Sequence, residues 1–426
     1  MTMTSRERVR KALNHQVTDR VPIDLGTTPV TTMHVLALKK LREKLGLENR
    51  MLRMNDPLLQ TGELDMDVIA ALQVDTVGVW GMGNTIGVKN KDYKKWTLPD
   101  GTDVLVSGQF QYTVGDDGSL FAYAGGDTSY PPSARMPKGG FYFDPIVRQE
   151  DLDEKEEWDA RHDYADQYPI LDDEELKACE KQSIELYNNT SCALVGHYDW
   201  GGLGDAFHVP GPWLKETPFG VRDMPDWLMT MCEDPDYLKE LFDMQSDRAI
   251  ENLKLYKQAV GDRIDVLELS ATDFAHQNGL MVSKDIFREI FMPYYKKMNN
   301  WIHENTNWKI FIHSCGAVVP ILPDFIEAGF DILNPIQVSA KGMEPEILKS
   351  QFGKDIVFWG GGCNPQKTMP NATPEEVYAE TRAAAAILSR GGGFIGGNVH
   401  NVQPDVPPEN LMAELQALKD TVPQEL

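Results

Sequence analysis

Short apolar, β-branched runs alternate with helix-patterned segments along this 426-residue chain, and that alternation constrains the fold more than any other feature. The runs lie at 20–26, 74–81, 192–198, 264–270, 309–314, 331–337, 356–361 and 392–397. Apolar runs bounded by Gly and Pro suit strands covered on both faces, as in a parallel sheet. Helical patterns fill most of the intervals, as at 234–260, 284–305, 318–328 and 373–389. The stretch NATPEE is a helix start, with Thr373 as cap, Pro374 in the first turn and two acids near the positive end of the dipole. Eight strands alternating with helices predict an α/β fold, a (β/α)8 TIM barrel spanning 1–426 as one catalytic domain. An open doubly wound sheet is the alternative, but no GxGxxG follows the first run.

The alternation breaks from about 87 to 169. Two hairpin signals stand there, at 96–106 around Asp100-Gly101 and at 111–124 around Asp117-Gly118, followed by a Pro/Gly-rich stretch at 125–140. We read a β-rich insertion after strand 2, carried on the barrel rim. Its Arg135, Met136 and Lys138 are candidates for contact with a partner or a substrate. A surface elaboration without contacts is the plain alternative.

Composition excludes some functions. The formal net charge is −24, which disfavours nucleic acid, whose phosphates need a basic surface. No apolar run is long enough to span a bilayer, and the N-terminus lacks a secretory apolar segment, so a cytoplasmic protein is expected. Five cysteines form no disulfide framework, so a functional cysteine is a metal ligand or a nucleophile.

Barrel enzymes place their chemistry where strands end at the C-terminal face. The ends here carry Asp24, His197 with Tyr198 and Asp199, Glu268 followed by Asp273, His276 and Gln277, then His313-Ser314-Cys315-Gly316, Asn334 and Gln337, Cys363 after three glycines, and Asn398, His400, Asn401 and Gln403. Residues two apart on a strand share a face, so His313-x-Cys315 aims an imidazole and a thiol at one point. With Cys363 from a nearby strand end, the set suits tetrahedral Zn2+ with an open fourth position. Buried cysteines without a metal are the plain alternative.

The segments RERVRKALNHQVTDRVPIDLG, FIHSCG, DILNPIQ, WGGGC and GGFIGGNVHNVQPDVPPEN resemble the uroporphyrinogen decarboxylase superfamily. More narrowly they are similar to its corrinoid-dependent branch, which includes methylcobalamin:coenzyme M methyltransferases. The resemblance covers nearly all of the chain except the insertion, and it implies zinc on His313, Cys315 and Cys363. Glu268 is a candidate fourth ligand when substrate is absent. Asp273 and His400 are candidate catalytic residues, and Asp24, His197, Gln277, Asn334 and Gln337 candidate substrate-binding residues. The resemblance implies methyl transfer between a methylated corrinoid, supplied by a partner protein, and a small zinc-activated molecule, a thiol being favoured. The chain has no DxHxxG cobalamin motif of its own. Demethylation of a methoxylated substrate is a second reading, and a zinc-bearing scaffold without catalysis a third. Decarboxylation of a uroporphyrinogen is disfavoured, since VPIDLGTTPVTTMH has no arginine to meet the substrate's carboxylates.

Overall fold

The computed structural model describes residues 3–149, 158–198, 201–205 and 211–425. Asp199 and residues 150–157, within the expected insertion at about 87–169, therefore lie outside the described residues. Seven strands, Thr76–Val79, Ala193–His197, Val266–Ser270, Lys309–His313, Ile332–Asn334, Val357–Trp359 and Phe394–Ile395, lie side by side in chain order in one sheet. Every pair in it is parallel. Parallel neighbours need a crossover, and helices such as Asp173–Asn189, Pro235–Val260 and Pro374–Leu388 supply it. The last begins as its sequence predicts, with Thr373 and Glu376 forming a capping box and proline in the first turn.

The expected first strand at 20–26 is reduced to a single bridge, Ile23 to Gly396. Pro22 has no N–H to give a ladder, yet its carbonyl accepts from Gly396 at 2.9 Å, and Asp24 N–H donates to the Gly396 carbonyl at 2.8 Å. On the other side, Asp75 N–H donates to the Ile23 carbonyl at 2.8 Å. The segment 22–24 is thus bonded to both ends of the parallel sheet. Buried Asp75 pins it, accepting from Arg8 at 2.6 Å, from Arg20 at 2.6 Å and from the Ile23 amide at 2.8 Å. Val9, Ala12 and Leu13, from the helix Ser5–Leu13, pack with Val195, Phe311, Trp359 and Ile395 in a second buried cluster. The opposite, C-terminal ends of the strands carry the polar residues.

Both Asp-Gly turns join antiparallel pairs, Lys94–Thr97 with Asp103–Val106 and Tyr112–Val114 with Leu120–Ala122. Two features differ from the sequence reading. Asp103–Val106 also pairs in parallel with Leu52–Asp56, a strand lying before Thr76–Val79 in the chain. The stretch 125–140 is no free loop, because Ala134–Met136 is a strand paired on both sides. Met136 is buried, whereas Arg135, paired with Asp117 at 2.8 Å, and Lys138 are exposed. Tyr142 reaches across to Gln403, donating its hydroxyl at 2.5 Å. His34 is a buried helix cap, its Nδ1 accepting from Leu36 N–H at 3.1 Å and its other ring nitrogen facing the Phe141 carbonyl at 3.3 Å.

Candidate metal centre

His313 is the last residue of its strand and is buried. Its Nδ1 lies 2.5 Å from Asn334 Oδ1, and Asn334 Nδ2 donates to the Trp359 carbonyl at 3.0 Å. The second bond fixes the amide, so the oxygen faces the imidazole. An amide oxygen only accepts, so Nδ1 carries the proton and Nε2 presents its lone pair. Cys315 Sγ stands 3.3 Å from that Nε2. The H-x-C pair therefore converges, with Cys315 two residues past His313 in the loop that follows the strand.

The loop after the strand is held from three directions. Asp273 Oδ1 accepts from Cys315 N–H at 2.7 Å, Gln337 Oε1 accepts from Gly316 N–H at 2.7 Å, and Ser314 N–H donates to the Asn334 carbonyl at 2.7 Å. Gln337 Nε2 donates to Gln277 Oε1 at 3.0 Å, and Gln277 Nε2 donates to the Ser339 carbonyl. Asp273, expected as a catalytic residue, and Gln277, Gln337 and Asn334, expected as substrate-binding residues, all take part in hydrogen bonds that hold the His313–Cys315 pair. Asp273 is open to the mouth yet set deep enough that burial raises its carboxyl. Burial raises the Cys315 thiol too, and the charge of Asp273 adds to it. Gly316 has φ +91°, and a Cβ there would sit 2.7 Å from the Ala275 carbonyl carbon and 2.8 Å from the His276 carbonyl oxygen. Gly316→Ala is expected to cost about 1–3 kcal/mol, and to weaken metal retention by displacing Cys315. Denaturant titration and metal content of the purified variant measure the two effects.

His400 completes the group: one donor atom each from His313, Cys315 and His400 lies within 4.8 Å of the others. The two imidazoles meet edge to face at 5.1 Å. Burial lowers both to about 4, so they are neutral and ligand-competent at neutral pH. His400 Nδ1 faces Asn401 Oδ1, and Asn401 Nδ2 donates to the Pro29 carbonyl at 3.0 Å. Sequence reasoning assigned Asn401 no role; its only signal was adjacency to His400.

Cys363 does not join them, contrary to expectation. The turn before it places Gly360 at φ +76° and Gly361 at φ +92°, and the thiol ends beneath the helix Pro408–Lys419, 4.0 Å from Glu414 Oε1. Gly362 permits this approach, since a Cβ there would stand 2.4 Å from the same oxygen. Burial raises the Glu414 carboxyl from its ordinary 4.5 to about 7. Between those values the folded chain holds a proton that the unfolded chain has lost, so stability falls as pH rises through that window. Glu414→Gln is expected to flatten this part of the profile, gaining on the parent protein in urea midpoint at about pH 8 relative to about pH 5.

Two further candidates stand apart. Glu268 is buried and pairs with His197 Nδ1 at 2.5 Å, outside the three-residue group. Asp24 does not reach the mouth: its oxygens accept from Thr27 at 2.8 Å, Thr76 at 2.7 Å and Trp359 Nε1 at 2.8 Å, and it is a core carboxylate rather than a substrate ligand. His197 also lines a cavity of about 440 Å³ with Trp80, Tyr164, Tyr168, Trp213 and Trp227. Among the described residues its wall includes neither His313, Cys315 nor His400, so the cavity and the converging donors are separate features.

Residues 219–421 match the uroporphyrinogen decarboxylase (URO-D) family. A methylated-thiol--coenzyme M methyltransferase of Methanosarcina mazei is 28% identical over 202 residues, 47% of this chain and 49% of that protein. The chain thus aligns with about half the length of that curated relative. A solved methyltransferase from Methanosarcina mazei superposes over 98% of both chains with a TM-score of 0.52 at 18% identity, a likeness of fold. No helix among the described residues is long and apolar enough to cross a membrane.

Proposed function

Taking residues 219–421 as a URO-D family domain, we propose that the chain is a zinc-dependent methyltransferase of a corrinoid system. The bonding of 22–24 to both sheet ends supports a closed (β/α)8 barrel, with residues of about 87–169 as a β-rich unit on its rim. The observation that carries the reading is the pair His313 Nε2 and Cys315 Sγ, 3.3 Å apart at the strand ends and backed by Asn334 and Asp273. Zinc bound there supplies Lewis acidity, lowering the pKa of a bound thiol or polarising a substrate oxygen. Asn334 holds the imidazole in its ligating tautomer. Asp273 and Gln337 hold the Cys315 loop, so the donors need no reorganisation when substrate arrives. The methylated corrinoid comes on a partner protein in a cytoplasmic setting, and the small methyl acceptor is a thiol; the name of the 28%-identical relative pairs a methylated thiol with coenzyme M. A second reading, demethylation of a methoxylated aromatic, draws support from the aromatic-walled cavity beside His197.

Purified protein incubated with methylcobalamin and a small thiol tests the reading through loss of the methyl–cobalt absorbance. Zinc-dependent loss supports thiol methylation. Turnover only with a methoxylated aromatic and a corrinoid protein moves the assignment to the second reading. Equal rates with and without zinc would overturn both.

A further inference from the structure

Resting on the zinc reading above, we propose that the third protein donor is His400 rather than Cys363, so that the metal is held by two imidazoles and one thiolate. The first argument is convergence. His313, Cys315 and His400 offer donors within 4.8 Å of one another, while Cys363 is packed 4.0 Å from Glu414 under another helix.

The second argument is the matched support behind the two histidines. Each has its Nδ1 against the side-chain oxygen of an asparagine, Asn334 for His313 and Asn401 for His400. Each asparagine is locked the same way, its Nδ2 donating 3.0 Å to a backbone carbonyl, of Trp359 and of Pro29. The Asn401 backbone N–H also donates to His400 Nδ1 at 2.9 Å, so that nitrogen stands between a donor and an acceptor of one residue, and a metal at Nε2 selects the form with the proton on Nδ1. In His313 Nε2 is left with its lone pair, and in His400 the same holds in that form. Metal-bound histidines characteristically donate their other N–H to such an acceptor, which fixes tautomer and orientation.

The third argument is the fit of Cys363 where it stands. Two glycines at positive φ and a third without room for a Cβ build the turn that tucks it away. The donor set has a chemical consequence. Two thiolates would neutralise a divalent ion, whereas one leaves a net positive charge, which strengthens the hold on an anionic fourth ligand such as a substrate thiolate.

Cobalt(II) replacing zinc tests the donor set without turnover, because thiolate-to-cobalt charge-transfer absorption counts thiolates. The wild-type protein is expected to show the intensity of one thiolate. Cys363→Ser and Cys363→Ala should leave that band unchanged, Cys315→Ser should remove it, and His400→Ala should keep it while weakening cobalt affinity at least ~10-fold. Circular dichroism of each variant separates misfolding from ligand loss, and the two Cys363 variants guard against failure of either. A band halved in both Cys363 variants, with His400→Ala binding cobalt normally, would overturn the donor set alone. Failure of the folded wild-type protein to bind cobalt or zinc removes the metal itself, and the proposed reaction with it.

Discussion

Cys315→Ser should leave the protein folded, without its metal and at least ~10³-fold slower in methyl transfer. A serine hydroxyl does not ionise near neutral pH, so the site loses the one anionic donor in its group. Lewis-acid assistance is worth several kcal/mol, and about 4 kcal/mol corresponds to ~10³ in rate. The fold should survive because Cys315 is only partly buried, at a strand end, while the core rests on the seven-stranded sheet and its helices. Elemental analysis, a thermal melt and the methylcobalamin assay check the three parts together. Full zinc occupancy in the variant, or a rate within a few-fold of wild type, would remove Cys315 from the centre.

Asp75→Asn should produce the largest loss of stability among single polar substitutions. The carboxylate is fully buried and joins Arg8, Arg20 and the Ile23 amide, so it ties the first helix, the segment 22–24 and the strand Thr76–Val79 together. Removing one partner of a buried ion pair costs about 3–5 kcal/mol, because the remaining charge is left in a poor solvent. Arg8 keeps Asp19 at 2.6 Å, which argues for the lower end, about 3 kcal/mol. Urea denaturation measures the loss. Hydrogen exchange locates it, with the Ile23 and Asp24 amides expected to lose protection first, since they hold the segment between the two sheet ends. A loss under about 1 kcal/mol would mean that solvent reaches the pair.

Much of this architecture is legible before any coordinates. The apolar runs become parallel strands in chain order because a strand covered on both faces must be apolar throughout, a local demand. The Thr373 helix start and the two Asp-Gly hairpins follow from capping and turn chemistry within a few residues. The strand Leu52–Asp56 was not legible: it is short, stops before Pro57, and finds its parallel partner, Asp103–Val106, far along the chain. The run at 20–26 was legible as extended, but not as a segment held by one bridge and a buried aspartate.

At the site, the sequence put His313 and Cys315 within reach of each other through their spacing at a strand end, while the strand stops at His313 and the loop carrying Cys315 is held by Asp273 and Gln337 from other segments. Which residue joins them was decided by tertiary structure. Cys363 and His400 both follow strands that end at the same mouth, and nothing in their local sequence ranks them. The ranking comes from where the chain goes after each strand. Gly360 and Gly361, in conformations open to glycine, turn Cys363 back under the helix Pro408–Lys419 to meet Glu414. Asn401, held by the Pro29 carbonyl from the far end of the chain, keeps His400 facing His313. Local periodicity sets the direction of a side chain relative to its own strand. Only packing between distant segments sets which of two strand-end donors meets a third.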